Sequence, residues 1–265
     1  SYMLYANGSR TPFDQDAVRE AISLAIDYEA LVKNVLLGRG KILPSSYYHS
    51  DLPWAVGAMP LYDPDAAKTL LEFAGLQDSD GDGVREWQGQ PMDYAVLCNS
   101  DRPLEVQTTD LIVQWLQDIG IEAHANCVDT STQLSMMWPN YRAISNPDYD
   151  LALFSWPGDV QTQRSFLRYM VSDPNKMGWA NLSGVTDPQL EQLIASYLIE
   201  GDPTQQEALG MAIQEQFSEV LPMIPLMAPN GTYAYLPEKY AGWQYMKGIG
   251  IGTFWSFLQV QPTTQ

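Results

Sequence analysis

Residues 149–156 read YDLALFSW, and this stretch decides the fold class. Residues 151–154 form a continuous apolar run, which is typical of a strand buried on both faces of a parallel sheet. A Pro-Gly-Asp turn follows at residues 157–159. Ligands of open α/β sheets bind beyond the carboxyl ends of the strands. We therefore expect Trp156 and Asp159 to lie where a ligand would bind.

Predicted strands and helices alternate on either side of this stretch. Strands are predicted at residues 2–6, 92–98, 121–128, 149–156, 223–227 and 232–236. Helices are predicted at residues 12–26, 28–37, 63–74, 104–119, 162–170, 188–199 and 203–221, with a short one around Leu134 and Met137. The alternation favours an α/β fold, a mostly parallel sheet flanked by helices.

Composition excludes several classes of function. The 265 residues carry 14 Lys and Arg against 32 Asp and Glu, a net charge of −18. A chain this acidic is not expected to bind nucleic acid, since counterion release requires a basic surface. No run of apolar residues reaches the length of a transmembrane segment. The sequence therefore predicts neither a nucleic-acid partner nor a membrane span.

Four motifs appear in an order that matches one protein family. They are PFD at 12–14 before VREAISLAID at 18–27, YDPDAAKTLLEFAG at 62–75, DGDGVRE at 80–86, and YDLAL at 149–153 leading to Trp156 and Asp159. Together they resemble the extracellular solute-binding proteins of peptide and nickel ABC transporters, family 5.

The resemblance implies a periplasmic-binding-protein-like lobe. Residues 1–236 match the second, C-terminal lobe of a two-lobe protein, and residues 237–265 match a tail returning toward the first lobe, which this chain lacks. The implied partners are a small-molecule or peptide ligand, the missing N-terminal lobe and ABC permease subunits. The implied location is periplasmic or extracytoplasmic, with membrane association through an absent signal or lipid anchor.

The resemblance also implies a ligand site. In peptide-binding members the aspartate at the position of Asp159 pairs with the peptide α-amino group, and the tryptophan at the position of Trp156 forms a pocket wall. Trp179 and Asn181, in the GWAN segment at 178–181, are further candidates. The competing interpretations are that Asp159 caps a helix starting near residue 162 and that Trp156 is a core residue.

An acidic turn between a helix and a strand is a candidate calcium site. The ligands would be Asp78, Asp80, Asp82, the Val84 carbonyl and Glu86. An EF-hand needs a bidentate Glu at the twelfth position, which here is Gly89, so this is not an EF-hand. We expect no required cofactor. A solvated Asp/Gly turn is favoured over a calcium ion here, and an ion bound to this turn would be structural.

The two cysteines and two histidines offer little chemistry. Cys98 and Cys127 end two neighbouring predicted strands, and two buried free thiols are favoured over a bridge because disulfide geometry is restrictive. His49 and His124 lack partners at metal-ligand spacing, so no zinc site is expected.

The sequence thus predicts non-catalytic binding of an extracellular solute, a peptide or similar small polar molecule, for delivery to an ABC importer. Two alternatives remain open. One is a carbohydrate-active enzyme using carboxylates, and the other is the ligand-binding domain of a membrane sensor. Loss of oligosaccharide turnover on changing one acidic residue would favour the enzyme, and a transmembrane helix in the full-length product would favour the sensor.

Overall fold

The computed structural model describes most of the chain. The described residues are 1–46, 54–140, 143–156, 167, 172–177, 180–246 and 249–263. Within them the strands are β1 (Tyr2–Ala6), β2 (Gly40–Ile42), β3 (Glu86–Trp87), β4 (Gln90–Pro91), β5 (Asp93–Asn99), β6 (Glu122–Val128), β7 (Leu151–Ser155), β8 (Ile224–Pro229), β9 (Tyr240–Ala241) and β10 (Gln261–Pro262).

The helices lie mostly between these strands. They are α1 (Asp16–Ala25), α2 (Tyr28–Ala30), α3 (Pro64–Phe73), α4 (Pro103–Asp118), α5 (Thr130–Met137), α6 (Pro188–Ile199), α7 (Pro203–Val220) and α8 (Phe254–Gln259). A π-helical turn, Leu31–Val35, continues α2, and a 3₁₀ turn forms at Pro174–Lys176. None of the helices described here is both long enough and apolar enough to cross a bilayer.

Six strands form the central sheet in the order β2-β8-β1-β7-β5-β6. Strand β5 pairs in parallel with both β6 and β7, whereas β1 is antiparallel to β7 and β8, and β2 is antiparallel to β8. Four strands, β5 to β8, therefore run in one direction, which confirms the predicted mostly parallel α/β sheet. The sequence did not predict that β1 would run against them in the middle.

Helices cover both faces of the sheet, and each face has its own apolar core. Strand β1 shows the division, because Leu4 belongs to the core under α1, α3 and α4, while Met3 and Tyr5 belong to the core under α6 and α7. Side chains of a strand point alternately to its two faces, so a strand that is apolar throughout must be covered twice.

Aspartate caps begin three of the helices that the sequence predicts. Asp63 accepts a hydrogen bond from the Ala66 N–H, and Asp187 accepts one from the Leu190 N–H. Asp202 caps α7 by accepting from two backbone N–H groups. Each carboxylate satisfies N–H groups that the first helical turn leaves without partners.

The structure differs clearly from the prediction in three segments. Helix α1 begins at Asp16 rather than at Pro12, which lies in a preceding turn. Between the helices predicted at residues 28–37 and 63–74, where no strand is predicted, the structure has β2, a short edge strand. Residues 232–236 form no strand, although they alternate like one, and Tyr233 and Tyr235 are exposed there.

The preference for free thiols is wrong. Cys98 and Cys127 form a disulfide, and they are direct partners in the parallel register of β5 and β6. Their Cα atoms are 4.4 Å apart, at the short end of the range that a disulfide spans. Spacing along the sequence could not reveal this register, because helix α4 lies between the two strands.

Candidate functional site

Three parallel strands end together at one edge of the sheet. Strand β5 ends at Asn99, β6 at Val128 and β7 at Ser155, and we call this the carboxyl edge. Because β1 runs the opposite way, its first residue, Tyr2, pairs with Ser155 at the same edge. Open α/β sheets bind their ligands beyond this edge, where the loops leave the sheet.

An aromatic cluster lies at the end of β7. The rings of Phe154, Trp156 and Trp138 contact one another edge to face, with centroids 5.2 to 6.4 Å apart. Trp156 is only half-buried, and its indole N–H donates to the Tyr5 hydroxyl over 2.9 Å. This hydrogen bond orients the ring while leaving part of it in contact with solvent.

Beside the aromatic cluster lies a network of polar side chains, centred on Glu105. Glu105 is fully buried, in the first turn of α4. Its Oε2 accepts from the Asn99 N–H at 3.1 Å and from Gln133 Nε2 at 3.3 Å. Its Oε1 accepts from Arg102 at 2.9 Å and from the Ser155 hydroxyl at 3.2 Å. A buried carboxylate is tolerated only when it is paired and hydrogen-bonded in this way.

The side-chain amides of Asn99 and Gln133 connect the ends of the strands by hydrogen bonds. Asn99 Nδ2 donates to the Thr130 hydroxyl at 2.9 Å and to the Gln133 carbonyl oxygen at 3.2 Å. Gln133 Nε2 also donates to the Leu153 carbonyl at 2.9 Å. Strands β5 and β7 and helix α5 are thereby fixed to one another, so the carboxyl edge is a rigid surface.

Arg102 is a charged member of the network that reaches solvent. Its side chain is 40% exposed, and its Nη1 donates both to Glu105 and to the Ser155 hydroxyl, the latter over 2.7 Å. The phenol of Tyr2 lies near the pair. Burial and the Glu105 charge raise the pKa of Tyr2, and the Arg102 charge partly offsets them, so the phenol stays neutral.

The sequence predictions and the structure agree at the carboxyl edge only in part. Trp156 lies there, directly after β7, and its predicted ligand contact stays a prediction. The polar network, comprising Asn99, Arg102, Glu105, Gln133 and Ser155, was missed. A usable signal existed, since Asn99 and Ser155 are polar residues directly after apolar strands, and Arg102 precedes Glu105 by one helical turn.

Asn181 lies elsewhere in the fold. It is fully buried, and its amide bonds to the Val185 carbonyl, the Ser183 hydroxyl and the Gly184 N–H. The Gly8 N–H, just beyond the end of β1, donates to the Ser183 carbonyl in this turn. Because β1 is antiparallel to β7, the turn lies beside the amino end of β7, opposite Trp156. The hydrogen bonds of Asn181 hold this turn together, and its predicted ligand contact stays a prediction.

Asp159 and Trp179 fall outside the described residues, so their predicted ligand contacts stay predictions. The helix predicted at residues 162–170 and His49 fall outside them as well, apart from residue 167. The other histidine, His124, is exposed on β6 and lies 3.3 Å from a carboxylate oxygen of Asp93.

The acidic loop, residues 78–86, brings four carboxylates together. Oxygens of Asp78, Asp80, Asp82 and Glu86 all lie within 4.8 Å of one another. Asp78 accepts from the Gly81 and Gly83 N–H groups, and both glycines have positive φ, so the backbone wraps around this side chain. Clustered carboxylates are the ligands that calcium prefers. These contacts do not test the candidate calcium site, and both calcium binding and a solvated turn remain possible interpretations of the loop.

A comparison with protein families identifies the fold's relatives. The family model of bacterial extracellular solute-binding proteins, family 5 Middle, matches residues 1–178, which is more than half of the chain. This chain belongs to that family. The resemblance found in the sequence motifs is thereby confirmed.

Individual relatives bind different solutes. The chain is 25% identical over 236 residues to the oligopeptide-binding protein AppA of Bacillus subtilis, covering 88% of this chain and 42% of that protein. It is 26% identical over 227 residues to the nickel-binding periplasmic protein of Escherichia coli, covering 84% and 42%. The chain therefore spans less than half the length of these curated relatives.

A solved structure shares the fold of almost the whole of this chain. The oligopeptide-binding protein AppA of Bacillus subtilis, in complex with a nonapeptide, superposes with a TM-score of 0.79 at 21% identity. The match covers 99% of this chain and 50% of the other. At this identity the superposition establishes a common fold.

Proposed function

We propose that the protein containing this chain is the non-catalytic solute-binding component of an ABC importer, and that its solute is a peptide or a similar small polar molecule. The carboxyl edge carries the proposal. A half-buried tryptophan, Trp156, and a fixed polar network lie side by side where the strands end, in a chain that belongs to a solute-binding family. Ligand sites commonly combine apolar walls with a few oriented polar groups.

The proposed mechanism is closure of two lobes on the solute. This chain contributes the second lobe, and a first lobe closes over the carboxyl edge. The solute shifts the population toward the closed form in proportion to its differential affinity for the closed and open forms. Asp159 pairs with a solute ammonium group, a charge-assisted hydrogen bond that contributes about 1.5–3 kcal/mol.

The C-terminal tail is proposed to return toward the first lobe. Helix α8 exposes Phe254, Trp255, Phe257 and Leu258, each more than half accessible to solvent. Exposed apolar patches of this kind mark interaction surfaces. The first lobe is the proposed occupant, because the relatives extend over more than twice the aligned length.

The proposed location is extracytoplasmic, with permease subunits as partners on the membrane. The Cys98–Cys127 disulfide supports this, since disulfides persist in oxidising compartments and are rare in the cytosol. The description of the family as extracellular supports it as well.

Native mass spectrometry of the whole gene product, purified without refolding, tests the proposal. Denaturation then releases any solute carried through purification. A series of peptide masses is the expected result. A single sugar or metal chelate would retain solute binding and reject the peptide, whereas turnover of an oligosaccharide by the purified protein would reject the non-catalytic function.

The predicted ammonium contact has a test of its own. Asp159→Ala should weaken binding of released peptides about tenfold or more, given the strength of a charge-assisted hydrogen bond. Asp110→Ala, which removes an exposed carboxylate from α4, is the matched control and should bind normally. Equal affinity of Asp159→Ala and wild type would reject this contact.

A further inference from the structure

The dipeptide Asn-Gly occurs twice in the chain, at residues 7–8 and 230–231. An asparagine before a glycine is prone to deamidation, because the glycine nitrogen attacks the side-chain carbonyl and no Cβ hinders its approach. The reaction needs a side-chain amide and a main chain that are free to rotate into contact. The environment of each pair therefore decides whether it reacts.

The first pair is held by hydrogen bonds at each polar atom that the reaction uses. Asn7 is fully buried, and its Nδ2 donates to the Pro147 carbonyl at 3.0 Å and to the Tyr149 carbonyl at 2.7 Å. Its Oδ1 accepts two further hydrogen bonds, so both donors and both lone pairs of the amide are used. The attacking group is engaged as well, since the Gly8 N–H donates to the Ser183 carbonyl over 2.7 Å.

The second pair lies at the surface, directly after β8. Asn230 and Gly231 are both exposed, and residues 230–236 belong to no helix or strand. Within the part of the chain that the structure describes, neither the Asn230 side-chain amide nor the Gly231 N–H has a hydrogen-bond partner. The Asn230 N–H donates to the Arg39 carbonyl over 2.9 Å, but the reaction does not use that group.

We propose that Asn230 is a site of spontaneous deamidation, with water as the reactant, and that the fold protects Asn7. The Gly231 nitrogen gives its proton to solvent and bonds to Asn230 Cγ, while the side-chain nitrogen takes up a proton and leaves as ammonia. Water then opens the cyclic imide at either carbonyl, which leaves aspartate or isoaspartate. The net change replaces NH₂ by OH without oxidation or reduction. This inference does not depend on the proposed solute binding.

The products change the molecule where the chain leaves the central sheet. Either product adds a negative charge to a chain whose net charge is −18. Isoaspartate also routes the main chain through the side-chain methylene, which lengthens the backbone directly after Pro229. Pro229 pairs with Gly40 of β2, so the longer backbone follows the last pair of strand residues at this edge of the sheet.

Peptide mapping of the whole gene product by mass spectrometry, before and after incubation in mildly alkaline buffer, tests the proposal. Deamidation appears as the mass gained when OH replaces NH₂, and chromatography separates aspartate from isoaspartate. A parallel sample in urea shows the reactivity of both pairs without the fold, and incubation continues until both have reacted there.

Two variants examine the chemistry at the second pair. Asn230→Gln moves the amide one carbon further from the main chain, which disfavours ring closure. Gly231→Ala places a Cβ on the attacking residue. Its φ is not in the left-handed region, and the atoms nearest to the new Cβ, from 3.0 Å, belong to the exposed side chain of Tyr233, which has room to move.

In the folded protein we expect deamidation at Asn230, faster at higher pH, and none at Asn7. Asn230→Gln should lose the reaction at this site, and Gly231→Ala should slow it. An Asn230 that reacts in urea but stays intact in the folded protein would overturn the proposal. Equal rates at Asn7 and Asn230 in the folded protein would overturn the protection that the contacts of Asn7 are proposed to give.

Discussion

Among single residues, buried charges show how closely the fold matches donors to acceptors. Arg19 is 1% exposed, and its guanidinium donates to the Val220 and Phe13 carbonyls and to Asp16. Val220 is the last residue of α7, where carbonyls lack helical partners. The hydrogen bonds of Arg19 thus connect α1 to the end of α7. Those of Glu105 likewise connect α4 to the ends of β5 and β7.

Buried tyrosines predict instability in alkali. Burial, with a smaller contribution from Asp150, raises the pKa of Tyr94 to about 12, and burial raises the pKa values of Tyr5, Tyr28 and Tyr149. Between pH 10 and 12 the unfolded chain loses these protons first, so the unfolding free energy should fall as pH rises. Urea unfolding at pH 9 to 12 measures this fall.

A conservative variant isolates one of these phenols. Tyr94→Phe keeps the ring that packs 4.7 Å from Phe13 and removes the ionising group. It should show a smaller loss of stability above pH 10 than wild type. Tyr245→Phe, at a site that is 74% exposed, should behave as wild type. Identical pH dependence in all three proteins would contradict the prediction.

Calcium at the acidic loop is a second prediction for single residues. Calcium hundredfold above its dissociation constant should raise the thermal midpoint by about 5–10 °C, through its preference for the folded loop. Asp80→Asn should abolish the increase, and magnesium should give a smaller one because it prefers octahedral geometry. A midpoint that calcium does not change would reject the ion and favour a solvated turn.

For the elements, the reversed direction of β1 has the largest consequence. An antiparallel strand between β7 and β8 starts where its neighbours end, so Tyr2 lies at the carboxyl edge. The same reversal places the residues after β1 beside the buried turn that Asn181 holds. The direction of this one strand thus determines which residues lie at the carboxyl edge and which lie beside the turn that contains Asn181.

The disulfide between β5 and β6 is expected to stabilise this pair of strands. The cysteines are 29 residues apart, and the loop-entropy relation gives a stabilisation of about 3–4 kcal/mol. Urea unfolding of wild type with and without reductant, and of Cys98→Ala/Cys127→Ala, should show a decrease of this size. Reductant should not affect the double variant. An equal unfolding free energy in all samples would contradict the expectation.

For the whole molecule, the site is half of a proposed two-lobe cleft. The 265-residue chain alone should bind peptide mixtures more weakly than micromolar, because one wall of the site is open to water. Calorimetry with the chain and with the whole gene product makes the comparison. Micromolar or tighter binding by the chain alone would contradict the two-lobe mechanism.

Local sequence signals determined most elements of this protein. Aspartate–proline pairs begin α3, α6 and α7, and the apolar run at residues 151–154 predicts the buried strand β7. These signals work because capping and side-chain periodicity depend on neighbours along the chain. The ordered motifs determined the family, which is a property of the sequence itself.

Only the tertiary structure decided how distant segments meet. The register of β5 and β6 made Cys98 and Cys127 partners, and the reversed β1 brought Tyr2 beside Ser155. The burial of Glu105 gave Arg102 its fixed orientation. Such contacts depend on strand order and packing between residues far apart in the chain, and hydrophobic periodicity does not specify them, because burial identifies the face of an element but not its neighbour.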